Sequence, residues 1–169
     1  MRKKSGLLII FLLYIGTCSI FAREYRNLWG NFGLGLGTIH KLERIAFIGK
    51  LTYQKDHTTY SLRGLRLHSL FGGGCSGYDT AWDIGFLYGR SFKPPSSRTQ
   101  ISGGIGIALT GVEVKTDDVE TIGIPIDFQI SHRFSSSFGG GLYVYLNING
   151  HQSFYGAGLI FEIGKNLNK

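Results

Sequence analysis

Apolar side chains recur at every second position over much of this chain, most clearly from Ile122 to Ser131. In that segment isoleucine and phenylalanine alternate with glycine, proline, aspartate, glutamine and serine. A period of two predicts a β-strand with one apolar face and one small or polar face. Four further segments show the same alternation: 80–90, 101–109, 138–149 and 153–165.

Three weaker alternating segments, 29–38, 45–54 and 59–70, bring the predicted strands to eight. The last of these changes phase near Gly64, which predicts a β-bulge that turns Arg63 and Arg66 to the same side. Pro125 is the one residue of the clearest strand that does not fit regular strand pairing, because proline has no N–H to donate to a neighbouring strand. Turn residues separate the segments, and Asn149-Gly150 is the sharpest hairpin signal. Short, regularly spaced strands predict a β-sandwich or a β-barrel.

The first residues indicate a secretory signal peptide. Met1 to Lys4 is basic, Leu7 to Ile15 is apolar, and Ala22 is a small residue at which cleavage is expected. The apolar run is too short to cross a hydrocarbon core of about 30 Å as a helix. We therefore expect a signal peptide over residues 1–22 and a single β-barrel domain over residues 23–169, with lipidation at Cys18 as an open alternative.

Composition and charge exclude several partners. Three of the 18 basic residues lie in the predicted signal, so the mature part carries 15 basic and 11 acidic residues without a basic cluster. This distribution argues against a nucleic-acid partner. The five histidines lack metal-ligand spacing, and the glycine pattern from Gly72 to Gly77 lacks the helix that dinucleotide binding needs. We expect no cofactor and no metal.

The second face of the predicted strands favours a membrane barrel. It holds mostly glycine, serine, threonine and asparagine, whereas the outer face of a soluble barrel is rich in lysine and glutamate. Small residues and paired charges suit a narrow barrel interior when the apolar face meets lipid. The predicted interior charge network consists of Lys50, Arg63, Arg66, Asp83, Asp127 and Glu162. The predicted interfacial aromatic residues are Trp29, Tyr53, Trp82, Tyr88, Phe92 and Tyr155.

Three segments, Trp82–Arg90, Thr121–Pro125 and Ser153–Gly158, resemble parts of uncharacterised exported bacterial proteins of the outer-membrane β-barrel type. The resemblance covers the second half of the chain and its motifs are structural. It implies a closed, antiparallel up-and-down barrel of about eight strands in the outer membrane, with the lipid bilayer as its partner. It adds no chemistry.

Two other functions stay open at the level of sequence. A soluble barrel in the periplasm or outside the cell would turn the apolar face inward and bind a small apolar ligand, as lipocalins do. A lipid-modifying enzyme of the outer membrane would need a serine, a histidine and an acidic residue together. The candidates are Ser131, His132, Ser135 and Glu162. The expected function is a non-enzymatic integral barrel with a structural or surface-interaction role and no catalytic residue.

Overall fold

The computed structural model describes residues 27–39, 41–55, 57–69, 78–94, 97–114 and 118–166. The predicted signal peptide, Cys18 and the glycine-rich segment from Gly72 to Gly77 lie outside these residues. The eight strands are β1 (Asn27–Ile39), β2 (Leu42–Lys55), β3 (Thr58–His68), β4 (Tyr78–Phe92), β5 (Thr99–Val114), β6 (Asp118–Arg133), β7 (Phe138–Asn149) and β8 (Phe154–Asn166). No helix among the described residues is long and apolar enough to cross a membrane.

The strands form a closed antiparallel barrel in chain order. Each strand pairs with the next, and β1 pairs with β8 to close the sheet. Closure leaves no strand with an unpaired edge. The predicted fold class, a closed up-and-down barrel of eight strands, is confirmed.

The barrel has two distinguishable ends. β1 begins and β8 ends at what we call the terminal end, where β2 connects to β3, β4 to β5 and β6 to β7. The other four connections lie at what we call the distal end. The longest of all the connections, residues 69–77, joins β3 to β4 at the distal end.

The predicted bulge at Gly64 is wrong. The pairing of β3 with both of its neighbours runs past this residue without a shift in register. Arg63 is therefore buried inside the barrel and Arg66 is exposed, because side chains three positions apart in a regular strand point to opposite faces. The register shifts instead between Tyr78 and Thr80, near the start of β4.

Pro125 is accommodated by a local gap in one ladder of the sheet. It is fully buried, and the pairing of β5 with β6 skips from Ile105↔Ile126 to Ala108↔Gly123 around it. The register is the same on both sides of the gap. The other edge of β6 pairs without interruption at this point, because a proline removes one N–H donor and the rest of the strand keeps its hydrogen bonds.

Glycine permits a close approach where the barrel closes. Gly35 of β1 faces Gly158 of β8, and a Cβ atom on Gly35 would lie 2.6 Å from the Cα atom of Gly158. A larger residue at either position would push apart the two strands that complete the barrel.

The hairpin predicted at Asn149-Gly150 connects β7 to β8 through residues 150–153. The Asn149 side-chain oxygen accepts hydrogen bonds from the backbone N–H groups of His151 (3.1 Å) and Gln152 (2.6 Å). Asparagine favours such turns because its short side chain imitates a backbone acceptor.

Candidate functional site

The outer surface of the barrel is apolar across its middle. Ile107 is 70% exposed, and Phe86, Leu142 and Leu159 are exposed on other strands. The residues between them along each strand face the interior, where the charged side chains Lys50, Arg63, Asp83, Asp127 and Glu162 are buried. The structure therefore confirms the predicted direction, with apolar side chains outward and small or charged side chains inward.

A buried ion pair crosses the lumen. Lys50 of β2 donates to the Asp127 carboxylate of β6 at 2.7 Å, and the Tyr143 hydroxyl donates to the same oxygen at 2.8 Å. Strands β2 and β6 lie four places apart in a ring of eight, so this bond joins opposite walls of the barrel. Such a bridge occupies the space that a solute channel would require.

A second buried ion pair lies beside the first. The Arg63 guanidinium donates through Nε to one Asp83 oxygen at 3.2 Å and through Nη2 to the other. The Asn147 amide also donates to Asp83 at 2.9 Å and to the Thr110 hydroxyl at 3.0 Å. Arg63 is fully buried, and its Nη1 donates to the Ile126 carbonyl at 3.4 Å. This arrangement compensates both charges in the manner that buried ions require.

Glu162 also points inward but forms no ion pair in the described part of the chain. It is 4% exposed; its Oε1 accepts a hydrogen bond from the Gln129 amide at 3.3 Å, and its Oε2 lacks a hydrogen-bond partner there. Gln129 in turn accepts from Asn31 at 3.1 Å. The interior thus contains two bonded ion pairs and one carboxylate held by a neutral amide.

Two residues of the predicted sets lie elsewhere. Arg66 is exposed on the outer face, opposite Trp82 in the register, and does not belong to the interior network. Trp29 is 6% exposed and lies inside the terminal end, with the Arg133 guanidinium carbon 5.7 Å from its ring centroid. Both corrections follow from the phase of the strand, since one step along it exchanges inside and outside.

The remaining predicted aromatic residues are on the outer face and divide between the two ends. Tyr53, Tyr88 and Phe92 lie near the terminal end, and Trp82 and Tyr155 lie near the distal end. The structure adds Tyr60, Phe134 and Phe138, which are exposed near the terminal end. The sequence signal that could have identified these three aromatic residues was their position at the ends of the alternating segments.

An internal apolar cluster, which was not predicted from the sequence, fills the distal half of the barrel. Its members are Ile39, Ala46, Ile48, Leu65, Leu67, Ala81, Val112, Tyr143, Tyr145, Phe154 and Ile160. The sequence signal for this cluster was a pair of neighbouring apolar residues that interrupts the alternation, as at Ile160 and Phe161. Ile160 is buried inside the barrel and Phe161 is exposed on the outer face.

The residues considered for lipid hydrolysis do not converge. His132 is exposed on the outer face, and its Nδ1 atom is 3.1 Å from the Thr99 hydroxyl. Ser131 and Glu162 are buried inside, and the Ser135 hydroxyl accepts from the backbone N–H of Phe138 at 3.1 Å. A nucleophile, its base and an orienting carboxylate must be in mutual hydrogen-bond contact, and these groups are not.

A closed eight-stranded barrel with an apolar outer belt and a charged, bridged interior defines the class of small outer-membrane β-barrels. Solved structures of this class are similar to the chain. Neisserial surface protein A (NspA) aligns with a TM-score of 0.61 at 11% identity, over 80% of this chain and 94% of that one. The N-terminal β-barrel domain of Pseudomonas aeruginosa OprF gives 0.58 at 12% identity, over 82% and 98%.

The outer membrane protein OprG of Pseudomonas aeruginosa gives a TM-score of 0.56 at 10% identity, over 83% of this chain and 97% of that one. At these identities the likeness establishes a shared fold. The sequence matches no protein-family model and has no significant match among curated proteins.

Replacing Glu162 with glutamine is expected to leave the barrel equally stable or to stabilise it by about 1 kcal/mol, because it removes a buried charge that pairs with no cation in the described part of the chain. Urea unfolding of the protein in detergent, followed by tryptophan fluorescence, measures this change. Asp127→Asn is the matched control and is expected to destabilise, because Asp127 compensates Lys50. A loss of stability in Glu162→Gln as large as that in the control would contradict the expectation.

Proposed function

We propose that this protein is an integral outer-membrane β-barrel with a structural, non-enzymatic role, exported by a signal peptide over residues 1–22. The observation that carries the proposal is the apolar outer belt, exemplified by Ile107, Phe86 and Leu142. Soluble monomers rarely expose contiguous apolar surface of more than a few hundred Å². A bilayer covers such a belt, and the strands are long enough to cross it when tilted.

The interior and the connections support a structural role. Cross-barrel bonds such as that between Lys50 and Asp127 occupy the lumen. The space that a solute would need in order to pass through the barrel is therefore filled. Most connections between strands are short, and residues 69–77 form the longest. A surface interaction through the connections therefore has its largest available segment there.

The soluble, ligand-binding alternative needs the alternating apolar residues to line a cavity. They lie on the outer surface instead, and most of the buried apolar side chains form one packed cluster inside the barrel. The ligand-binding function is therefore disfavoured by the same observation that supports the membrane barrel.

Fractionation of cells that produce the full chain tests the proposal. We expect the protein in the outer-membrane fraction, resistant to carbonate extraction and dependent on detergent for release. Its gel mobility is expected to change on heating, because a closed barrel that stays folded in detergent migrates differently from the unfolded chain. Recovery in the soluble fraction without detergent would overturn the membrane assignment.

A further inference from the structure

Basic side chains gather at the terminal end of the barrel. Lys55 and His57 lie where β2 turns into β3, Arg90 lies on the outer face of β4, and Lys93 and Arg98 flank the connection to β5. All five are exposed. We call these residues the basic collar.

Negative charge in the described ranges lies elsewhere. Asp83, Asp127 and Glu162 are inside the barrel, whereas Glu43 and Glu120 are exposed at the distal end. The distal end also carries exposed Lys41 and Arg66, so its charges are mixed. Asp56, which lies outside the described residues, follows Lys55 in the sequence and leaves the collar with a surplus of positive charge. The two ends of the barrel therefore differ in electrostatic character.

An aromatic row lies next to the collar on the side of the apolar belt. The Tyr60 ring is 6.4 Å from the Tyr53 ring and 5.7 Å from the Tyr88 ring, measured between centroids. These three tyrosines are register partners on the outer face of β2, β3 and β4. Tyrosine and tryptophan rings favour the boundary between hydrocarbon and head groups, so this row indicates where that boundary meets the barrel.

The spacing between the row and the collar fits the depth of a head-group layer. Lys55 is two residues beyond Tyr53, and Arg90 is two residues beyond Tyr88. Two residues of strand extend about 6–7 Å along the strand, which is about 5 Å along the membrane normal at a tilt of about 40°, and each head-group region is about 5–7 Å thick. The cationic groups therefore reach the level at which lipid phosphates lie.

Backbone hydrogen bonds hold the collar in position. The Ser91 N–H donates to the His57 carbonyl at 2.8 Å, and the Arg133 N–H donates to the Arg98 carbonyl at 2.9 Å. The Thr99 N–H donates to the Ser97 hydroxyl at 3.0 Å next to Arg98. These bonds tie the backbone at His57 and Arg98 to neighbouring strands, so the described ends of the two connections are anchored to the barrel.

We propose that the basic collar binds the phosphate groups of anionic glycerophospholipids in the leaflet at the terminal end. The proposal rests on the membrane function proposed above. Exposed lysine and arginine near an anionic membrane surface attract its lipids, and the attraction falls with salt. The mixed charges of the distal end provide no comparable preference.

Tryptophan quenching by brominated phosphatidylcholine, displaced by phosphatidylglycerol, measures the lipid preference in vesicles. Phe92→Trp in a Trp82→Phe background places the reporter on the outer face beside Arg90. We expect phosphatidylglycerol to bind there about fivefold more tightly than phosphatidylcholine. Molar salt, with a screening length of about 3 Å, is expected to reduce this preference toward one.

Two double variants separate the collar from net charge. Lys55→Gln/Arg90→Gln is expected to reduce the preference at least twofold, and Lys41→Gln/Arg66→Gln, which removes the same charge at the distal end, is expected to leave it unchanged. If the unaltered protein binds phosphatidylglycerol and phosphatidylcholine equally, or if both double variants lose the preference equally, the proposed lipid binding by the collar is refuted. The proposed membrane function would then still stand. A chain that fails to insert into vesicles would overturn both proposals.

Discussion

Arg63→Met is expected to lower the free energy of unfolding by about 3–5 kcal/mol, because it leaves the Asp83 carboxylate buried without its cation. Arg63 is 0% exposed and donates to both Asp83 oxygens. Asn147 supplies one remaining donor to Asp83 at 2.9 Å, which compensates the charge in part. Urea titration of the detergent-folded protein and the fraction of heat-modifiable protein on gels are the measurements.

The double variant Arg63→Met/Asp83→Asn is the control for this result. It removes both charges and keeps a neutral amide beside Asn147, so we expect it to recover most of the lost stability. Should Arg63→Met fold too poorly to titrate, the double variant must restore the heat-modifiable band. A single variant as stable as the parent would show that the ion pair contributes little, and a double variant no better than the single would refute charge compensation as the cause.

Ile107→Arg is expected to destabilise the barrel in a bilayer by about 2–4 kcal/mol, the cost of an arginine at the lipid-facing midplane of a barrel strand. Ile107 lies near the middle of β5, is 70% exposed and points outward. In a soluble barrel the same change would put a charge into water at little cost. Denaturant unfolding in phosphatidylcholine vesicles measures the difference between variant and parent.

Ile101→Arg is the matched control, since it makes the same substitution on the same face of β5 near the terminal end. Its expected cost is about 0–1 kcal/mol, because an arginine near the interface reaches the head groups. Equal costs at Ile101 and Ile107 would contradict a hydrocarbon layer centred on the barrel.

The eight strands were predictable because the alternation of side chains is a local property of extended backbone. Segments such as Ile122 to Ser131 have one apolar and one small or polar set, which also predicted the direction of the faces. The phase of β3 was not predictable. Glycine at position 64 carries no side chain to reveal a face, and the apolar residues Leu62, Leu65 and Leu67 fall on both sides of the strand.

The residues that make up the interior charge network were mostly predictable from the sequence, whereas the contacts among them were not. A charge on the small-residue face is expected inside, as found for Asp83, Asp127 and Glu162. Which of these carboxylates receives a cation depends on strands that are distant in sequence. Lys50 and Asp127 meet across the barrel, whereas among the described residues Glu162 has an amide as its one hydrogen-bond donor.

The sequence by itself determined that this protein consists of β-strands with one apolar face, because the alternation of apolar and polar side chains is a property of neighbouring residues and requires no partner strand. The tertiary structure decided the pairing of the interior charges and the apolar filling of the distal half. It also decided that Trp29 is inside and Arg66 is outside. These features depend on closure and register, which set the distance between residues such as Lys50 and Asp127 that local spacing cannot relate.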